Sequence, residues 1–276
     1  MENQVILITG ASSGIGKATA EFFMKKGYHV YGTSRNAEAS ENHTYSDALS
    51  GGFIDMIPLD VTSDDSVKNA IDIVLAKEGR IDILISNAGI GIAGSVEDTT
   101  MDEAKKQFEV NFFGSLRVIR AVLPSMRKQG HGKIIVLSSV AGKISIPYQG
   151  HYSASKFALE GITEALRHEV APFNIKVCLV EPGDTKTGFT GNRIYSENAG
   201  ENSPYYESFK KSIARMEQDE QNGASPETVA RTIYRMAIRK NPPVRTAVGF
   251  QYKLILFLQK ILPAKIQEIA VRMLYT

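Results

Sequence analysis

Tyr152 and Lys156 stand four residues apart in a segment whose pattern predicts a helix, so their side chains share one face of it. A phenol, with a pKa of about 10, is a poor proton donor or acceptor at neutral pH. A neighbouring ammonium favours the phenolate and lowers that pKa, as a proton-transfer group requires. The pair therefore indicates acid–base chemistry on a substrate oxygen, although a Tyr/Lys pair at this spacing, taken alone, is more often surface packing.

A glycine-rich turn, Gly10-Ala11-Ser12-Ser13-Gly14-Ile15-Gly16, lies between the first apolar run and a helical segment. Glycines allow positive φ and let the backbone approach a pyrophosphate, and a helix N-terminus adds free N–H groups and a positive dipole end. The spacing is G-x-x-x-G-x-G rather than G-x-G-x-x-G, and many strand-to-helix turns use glycine for sharp geometry alone. The turn predicts a pyrophosphate site formed by Gly10, Ser12, Ser13, Gly14, Ile15 and Gly16, with a purely structural role as the alternative.

The end of the second predicted strand bears on which dinucleotide would bind. In dinucleotide-binding folds an Asp or Glu there accepts the ribose 2′-hydroxyl, whereas an Arg accommodates a 2′-phosphate. This chain has Ser34 and Arg35 at that place and no acid. A guanidinium fork matches a phosphate, so we expect NADP(H) rather than NAD(H). The alternative is an arginine that is merely solvated at the end of a strand.

Seven motifs follow one another along the chain: Thr9-Gly10-x-x-x-Gly14-Ile15-Gly16, Asp60-Val61, Asn87-Ala88-Gly89, Asn111, Ser139, Tyr152-x-x-x-Lys156 and Pro182-Gly183. In order and spacing they resemble those of the short-chain dehydrogenase/reductase family, over nearly the whole chain. The local strings 30–36, 152–161 and 181–183 are most similar to the branch of 17β-hydroxysteroid and retinol dehydrogenases. The resemblance implies an oxidoreductase that transfers hydride between a nicotinamide dinucleotide and a carbonyl carbon.

The resemblance also implies roles for four residues. Tyr152 would protonate the substrate oxygen in reduction and accept the proton in oxidation. Lys156 would hold the nicotinamide ribose and lower the pKa of Tyr152. Ser139, rather than the neighbouring Ser138, would hydrogen-bond the substrate oxygen and stabilise its developing negative charge. Asn111 would anchor a water that leads protons from Lys156 to solvent.

The remaining cofactor contacts implied by the resemblance lie at three places: Asp60 and Val61 beside the adenine, Asn87-Ala88-Gly89 after the fourth strand, and Pro182, Gly183 and Thr185 at the nicotinamide carboxamide. Thr187 competes with Thr185 for the last position, and Asp184 is an unusual charge beside the nicotinamide ring. With the glycine turn, Tyr152 and Lys156, these residues define the expected NADP(H) site.

Short apolar runs rich in β-branched residues alternate with amphipathic, helix-length segments. The runs lie at 5–8, 30–33, 54–58, 81–86, 133–138, 176–180 and 244–248, and the helical segments include 17–26, 63–77, 101–128 and 152–171. Most runs are continuously apolar, as is typical of parallel strands buried on both faces. The order predicts an α/β fold, a single Rossmann-type doubly wound parallel sheet of about seven strands with helices on both faces, covering 1–276 as one domain.

Composition narrows the function classes. The chain has 276 residues, and 32 Lys and Arg against 30 Asp and Glu leave a net charge of +2, which gives no electrostatic case for nucleic-acid binding. One cysteine, Cys178, excludes intrachain disulfides and cysteine zinc clusters, and we expect no metal. No secretory leader is recognisable, and no apolar run approaches the ~20 residues that span a bilayer. We therefore expect a cytoplasmic protein with no transmembrane segment.

Two regions depart from the strand–helix alternation. Residues 184–224 are polar with interspersed aromatic residues, and a long segment of this kind predicts a substrate lid. Residues 250–276 predict a helical extension with Leu254, Leu258, Ile261 and Leu262 on one apolar face between lysines. Such a segment more often covers a substrate entrance or a subunit contact. The alternative is an amphipathic helix in peripheral contact with a membrane.

The substrate class is predicted from resemblance and from a largely apolar pocket wall. Its expected residues are Ile90, Ile92, Val96, Val140, Ile144, Ile146, Pro147 and Tyr148. Such a wall suits a bulky secondary alcohol or ketone, such as a hydroxysteroid, bile acid or retinoid. Smaller carbonyls or 3-oxoacyl thioesters are the alternative substrates, and a non-catalytic NADP-sensing protein is the alternative class. By resemblance the protein would be a homodimer or homotetramer formed through the helices that hold Asn111 and Tyr152.

Overall fold

The structure, a computed structural model, describes residues 3–37 and 45–275. Within these residues the main sheet has eight strands and a small second sheet has two. In chain order the strands are β1 (Val5–Ile8), β2 (His29–Ser34), β3 (Tyr45–Asp47), β4 (Gly52–Pro58), β5 (Ile83–Ser86), β6 (Ile92–Ala93), β7 (Gly132–Leu137), β8 (Ile175–Glu181), β9 (Ile194–Tyr195) and β10 (Arg245–Ala247).

The main sheet has the order β10-β8-β7-β5-β1-β2-β4-β3. Seven strands are parallel, one from each predicted run, and β3 alone pairs antiparallel with β4. β1 lies between β2 and β5, so the direction of winding reverses there. In open α/β sheets this reversal opens a crevice at the carboxyl ends of the strands, where ligands bind. The predicted α/β fold is confirmed, with one additional edge strand.

The helices are α1 (Gly14–Met24), α2 (Asp64–Glu78), α3 (Met101–Phe108), α4 (Gly114–Gln129), α5 (Gly150–Glu169), α6 (Tyr206–Gln221), α7 (Pro226–Ile238), α8 (Phe250–Ile261) and α9 (Ala264–Tyr275). The long helix predicted for 101–128 is interrupted by a π-helical turn, Glu109–Phe113, between α3 and α4. Local signals set several ends: Ser63 caps α2 by accepting from the Ser66 N–H, and Thr100 and Glu103 form a capping box on α3.

Two hydrophobic cores lie on opposite faces of the main sheet. Alternate residues of β1 divide between them, Val5 and Leu7 on one side and Ile6 and Ile8 on the other, because successive side chains of a strand point to opposite faces. The first core is completed by α2, α4 and α5, and the second by α1 and α7. Burial on both faces explains why these strands are apolar throughout.

The segment 184–224 is more ordered than a long loop. Its strand β9 pairs in parallel with β6, and its helix α6 buries Phe209, Ile213 and Met216 in a third apolar cluster. Tyr275 of α9 packs against the same cluster. The two regions outside the strand–helix alternation therefore pack against each other. Across the described residues we find no helix with the length and apolar character needed to cross a membrane.

Candidate active site

A cavity of about 1090 Å³ opens at the carboxyl ends of the parallel strands. Eighteen of the twenty predicted site residues lie in its wall, including Arg35 and Asp60, the glycine turn, and Tyr152 and Gly183. The two exceptions are Gly16 and Asn111, which lie behind the wall. Residues from six different strand ends are thus brought to one site, as the predicted topology requires.

The glycine turn forms a cradle that side chains would fill. Gly10 and Gly14 have φ of +68° and +53°, in the region that favours glycine. A Cβ added to Gly16 would lie 2.1 Å from the Gly10 carbonyl oxygen, so Gly16 permits close packing within the turn rather than contact with a ligand. Ser13 stands at the N-cap of α1 without capping it through its side chain. The first N–H groups of α1 therefore fit a pyrophosphate.

The motif Asn87-Ala88-Gly89 holds this turn in place. The Thr9 hydroxyl oxygen accepts hydrogen bonds from the N–H groups of Asn87, at 2.9 Å, and Ala88, at 3.0 Å. The Asn87 side-chain amide donates to the carbonyl oxygens of Thr9, at 2.9 Å, and Gly10, at 3.1 Å. Two motifs that lie far apart in sequence are thus one rigid unit.

Arg35 and Asp60 lie at the end of the cavity away from Tyr152. Arg35 is exposed at the end of β2, and both residues line the wall. Asp60 accepts hydrogen bonds from the Thr62 N–H, at 2.9 Å, and the Thr62 hydroxyl, at 2.8 Å. These bonds, together with the positive charges of Arg35 and Arg117, lower the pKa of Asp60. A fixed carboxylate thus lies beside an exposed guanidinium.

Ser139 and Tyr152 face each other across the opposite end. The Ser139 hydroxyl accepts from the Ala141 N–H at 3.1 Å and interacts with the Tyr152 hydroxyl. The Ser138 hydroxyl instead lies against Gly142, where an added Cβ would come within 2.7 Å of it. The geometry therefore favours Ser139 over Ser138 as the serine beside the tyrosine.

The electrostatics of the tyrosine differ from the expectation. Burial raises the pKa of Tyr152 to about 12, and the interaction with Ser139 only partly offsets this. Burial lowers the pKa of Lys156 to about 8. The Lys156 Nζ donates to the Leu137 carbonyl oxygen at 2.9 Å and lies 5.7 Å from the centre of the Tyr152 ring. The expected lowering of the Tyr152 pKa is absent in this structure, because the cost of desolvating the phenolate dominates.

Asn111 is tied by its side-chain amide to two other segments. It lies in the π-helical turn, fully buried. Its Oδ1 accepts from the Ile90 N–H at 2.9 Å, and its Nδ2 donates to the Ile90 carbonyl at 3.1 Å and the Ser155 hydroxyl at 3.2 Å. The Ser155 hydroxyl in turn donates to the Tyr152 carbonyl at 2.7 Å. The side-chain amide thus links the segment after Gly89 to α5, and the expected role of Asn111 as the anchor of a water stays a prediction.

The loop after β8 is held from the C-terminal extension. The ring of Tyr252 in α8 lies where a Cβ on Gly183 would stand, 2.2 Å from its Cζ. Its hydroxyl donates to the Asp184 carboxylate at 2.5 Å and accepts from the Asp184 N–H at 3.0 Å. The charge of Asp184, unusual from sequence, thus has a dedicated partner. Thr185 donates to the Gly183 carbonyl at 2.9 Å, whereas Thr187 packs against Gly14 across the cavity.

Several cavity residues escape prediction from sequence. They are Gln149, Phe189, Asn192, Met216, Glu220, Tyr252 and Tyr275. Of the eight residues expected in the apolar wall, Ile90, Val140 and Ile146 line the cavity and the other five do not. Val96 is exposed, and Tyr148 packs on Phe209 at 5.6 Å between ring centres. In the sequence, the scattered aromatic residues of 184–224 are the one signal for this part of the wall, and their spacing does not show that they lie near Tyr152.

Two carboxyl groups that do not line the cavity are buried close to each other. Glu160 in α5 and Glu181 in β8 are close enough to share a hydrogen bond, and Arg245 lies 3.5 Å from Glu160 and 3.8 Å from Glu181. Burial, and secondarily the neighbouring Glu160, raise the pKa of Glu181 to about 8. Glu181 therefore holds a proton in the folded protein at pH values where the unfolded chain has lost it.

This proton makes stability depend on pH. Between a pKa of about 4.3 for an unfolded glutamate and about 8 in the folded protein, the folded state binds more protons, so the free energy of unfolding falls as pH rises. We expect Glu181→Gln to remove roughly 1 to 3 kcal/mol of that fall. The measurement is the melting temperature at about pH 5 and about pH 8, with exposed Glu201→Gln as control. Equal pH dependence in wild type and Glu181→Gln would contradict it.

Comparison with known proteins finds a matching family profile and similar sequences. A family profile described as short chain dehydrogenase matches residues 4–198. A 3-ketodihydrosphingosine reductase of Bacteroides thetaiotaomicron is 48% identical over 276 residues, covering 100% of this chain and 99% of its own. Retinol dehydrogenase 8 of Bos taurus is 32% identical over 271 residues, covering 95% of this chain and 86% of its own.

Solved structures show the same architecture. A short-chain dehydrogenase from Streptomyces avermitilis is similar with a TM-score of 0.80 and 33% identity, over 94% of both chains. ElxO, solved with NADP bound, is similar with a TM-score of 0.72 and 26% identity, over 91% of this chain and 99% of its own. The predicted fold, and the resemblance on which the site was predicted, are both confirmed by these similarities.

Proposed function

The chain belongs to the short-chain dehydrogenase family, and we propose that it is an NADP(H)-dependent reductase of long-chain lipid ketones such as 3-ketodihydrosphingosine. The observation that carries the proposal is that Ser139, Tyr152 and Lys156 lie together in a cavity whose wall also includes the glycine turn. The product would be a secondary alcohol. The 48% identical relative, which matches along the whole chain and is named for this substrate, supports the substrate class.

We propose that a dinucleotide binds along the cavity. We assign the pyrophosphate to Gly10, Ser12, Ser13, Gly14 and Ile15, with Gly16 shaping the turn, and the adenosine end to Ser34, Arg35, Asp60 and Val61. We assign the nicotinamide end to Asn87, Ala88, Gly89, Tyr152, Lys156, Pro182, Gly183 and Thr185. A bound nicotinamide would supply the hydride. Arg35 supports NADP(H) as the dinucleotide, because its fork matches a 2′-phosphate.

Three side chains at the end of the cavity would handle the proton in ketone reduction. The Ser139 and Tyr152 hydroxyls would both hydrogen-bond the ketone oxygen and stabilise the negative charge that develops there. Tyr152 is the group that would donate a proton to that oxygen; its raised pKa, about 12, keeps it in the phenol form but also makes it a weaker acid than a free tyrosine. Lys156, with a pKa of about 8, is placed to return a proton at neutral pH.

The opposite side of the cavity suits an amino ketone with a long chain. Ile146, Phe189 and Met216 contribute apolar surface, and the Phe189 ring centre lies 5.8 Å from that of Tyr152. Glu220 also lines the cavity, and its negative charge helps to raise the pKa of Tyr152. It already binds Arg193 and the Thr190 hydroxyl, and a carboxylate has further acceptor sites for an ammonium beside the ketone.

The test is a substrate panel followed by NADPH absorbance. It comprises 3-ketodihydrosphingosine, a ketone of equal chain length without the amino group, a ketosteroid, retinal, a 3-oxoacyl thioester and a small ketone. We expect the highest kcat/KM for 3-ketodihydrosphingosine. Glu220→Gln should lower that value by about 10- to 100-fold, as loss of a charged hydrogen bond does, and leave the uncharged ketone within a few-fold.

Each alternative has its own outcome in this panel. Turnover confined to the ketosteroid or retinal would replace the lipid ketone by the bulky ring substrates first expected, which the similarity to retinol dehydrogenase 8 supports. Turnover confined to small ketones or thioesters would support the mechanism and exclude both the lipid ketone and the ring substrates. Silence on every substrate, with NADPH still binding, would favour the NADP-sensing protein over the reductase.

We further propose a single domain over 1–276 with 184–224 as the substrate lid, although Met1, Glu2, 38–44 and Thr276 lie outside the described residues. A homodimer or homotetramer is supported by Phe113, Phe157 and Ile162, which are exposed on or beside α4 and α5. A cytoplasmic location is supported by the one cysteine, Cys178, which is buried and free.

A further inference from the structure

The face of α8 that points away from the protein is apolar. Phe250, Leu254, Phe257 and Ile261 follow one another at helical spacing, and Phe250, Phe257 and Ile261 are 82%, 59% and 60% exposed. The opposite face carries Leu256, the one residue of α8 that is buried. A surface helix ordinarily turns its polar face outward, so α8 has the reverse arrangement.

The following helix, α9, repeats this arrangement. Ile266, Ile269 and Met273 share one face, and all three are exposed, Met273 at 83%. No residue of α9 among those described is buried. Ten of the 21 large apolar side chains that are exposed in the described residues lie in α8 and α9. A patch of this density on a protein surface indicates a partner.

Charge distinguishes between the candidate partners. Residues 250–276 carry Lys253, Lys260, Lys265 and Arg272 against one acid, Glu268, which gives +3 while the whole chain has +2. All four basic residues are exposed at the borders of the apolar faces. A second copy docking through the same patch would bring two positive surfaces together, whereas a bilayer with anionic headgroups offers both apolar depth and opposite charge.

The same two helices reach the active site. Tyr252 of α8 and Tyr275 of α9 both line the cavity, and Tyr252 is hydrogen-bonded to Asp184 in the loop beside the predicted nicotinamide site. A surface that binds α8 and α9 would therefore lie next to the substrate end of the cavity. This is the position in which a lipid ketone could pass between the bilayer and the site without crossing water.

We propose that α8 and α9 form a membrane-docking hairpin that binds anionic lipid surfaces and presents the cavity to lipid-borne substrate. The docking stands on the exposed apolar faces and their basic border, and the delivery of substrate rests on the proposed function. Apolar residues of the hairpin would enter the interface between headgroups and acyl chains, and the four basic side chains would contact the headgroups.

The experiment measures co-sedimentation of the full chain with vesicles of phosphatidylcholine alone or mixed equally with phosphatidylglycerol. We expect binding to the mixed vesicles that weakens with added salt. Phe257→Ser with Ile261→Ser should weaken it at least tenfold, and Lys253→Gln with Lys260→Gln should weaken it on the mixed vesicles by about fivefold per charge. Leu49→Ser with Ile238→Ser, also exposed apolar positions, is the matched control and should bind as wild type.

Two further measurements separate this proposal from its competitors. If wild type does not bind either vesicle, and Phe257→Ser with Ile261→Ser converts an oligomer to a smaller species in sedimentation velocity, the patch is a subunit contact and the proposal is overturned. Vesicle binding needs no turnover, so binding without reduction of a lipid ketone would overturn only the proposed function. If both hold, the same variant should reduce vesicle-borne ketone more slowly and detergent-dispersed ketone as fast as wild type.

Discussion

Tyr152→Phe is expected to lower kcat by about 10²- to 10⁴-fold, the usual contribution of a positioned acid–base group. The change removes the Tyr152 hydroxyl, which lies beside Ser139 and would donate a proton to a ketone oxygen bound there. It leaves the ring, and hence the packing against Phe189, in place. NADPH binding, measured by fluorescence titration, should change by less than a few-fold, so the loss would fall on the chemical step.

The matched control is Tyr275→Phe, which removes a hydroxyl from a tyrosine in the same cavity but not from the proton-donating position. It should retain activity within a few-fold of wild type. Substantial turnover by Tyr152→Phe would show that the proton comes from another group, and the mechanism proposed for Ser139 and Tyr152 would then be wrong.

The parts of the fold that could be predicted are those set by short-range patterns. The seven parallel strands are buried on both faces, and that burial is visible in the sequence as continuous apolar runs. β3 has three residues, Tyr45–Asp47, at an edge with little burial, and no apolar run marks it. The π-helical turn at Glu109–Phe113 escaped because an apolar helical pattern continues through it. The hydrogen bonds of the Asn111 amide with Ile90 and Ser155 could not be predicted either, because these partners lie in other elements.

The site shows the same division. Eighteen of the twenty residues predicted from the motifs line one cavity, because the carboxyl ends of parallel strands meet at one edge of the sheet. Spacing could not show that Tyr252 bonds Asp184, 68 residues away in sequence. It also could not show the pKa of Tyr152, since desolvation depends on every group packed around the phenol. Motif spacing therefore predicted which residues meet in the cavity, while the roles given to them stay predictions and the pKa of Tyr152 is raised rather than lowered.

Two segments outside the strand–helix alternation, 184–224 and the helices α8 and α9, contribute residues to the cavity wall. Residues of 184–224 and of α8 and α9 line the cavity and pack against each other, so under the proposed function substrate access would be controlled by elements outside the dinucleotide-binding core. Segments that are not part of the cofactor site are where substrate specificity can vary without disturbing hydride transfer. This places the expected difference from relatives that act on other alcohols in Glu220, Met216, Tyr252 and Tyr275 rather than in Ser139 or Tyr152.

Arg35→Ala is expected to weaken NADPH binding by about 10- to 150-fold, corresponding to about 1.5–3 kcal/mol for a hydrogen bond to a charged group. Arg35 is exposed at the cavity edge, so its removal leaves no buried group without a partner and should not unfold the protein. NADH lacks the 2′-phosphate, and its affinity should stay within a few-fold of wild type. The measurement is a separate titration of each dinucleotide against both proteins.

Arg35→Lys distinguishes charge from geometry in the same titration. A lysine keeps the positive charge beside Asp60 but lacks the planar fork that pairs with two phosphate oxygens, so its NADPH affinity should fall between those of wild type and Arg35→Ala. Asp60 carries no 2′-phosphate contact in this proposal, and the lowered pKa that keeps it ionised owes more to Thr62 than to Arg35. Its adenosine contact should therefore survive both substitutions. Equal losses for NADPH and NADH would show that Arg35 shapes the adenosine end without selecting the dinucleotide, and the preference for NADP(H) would have to come from elsewhere in the wall.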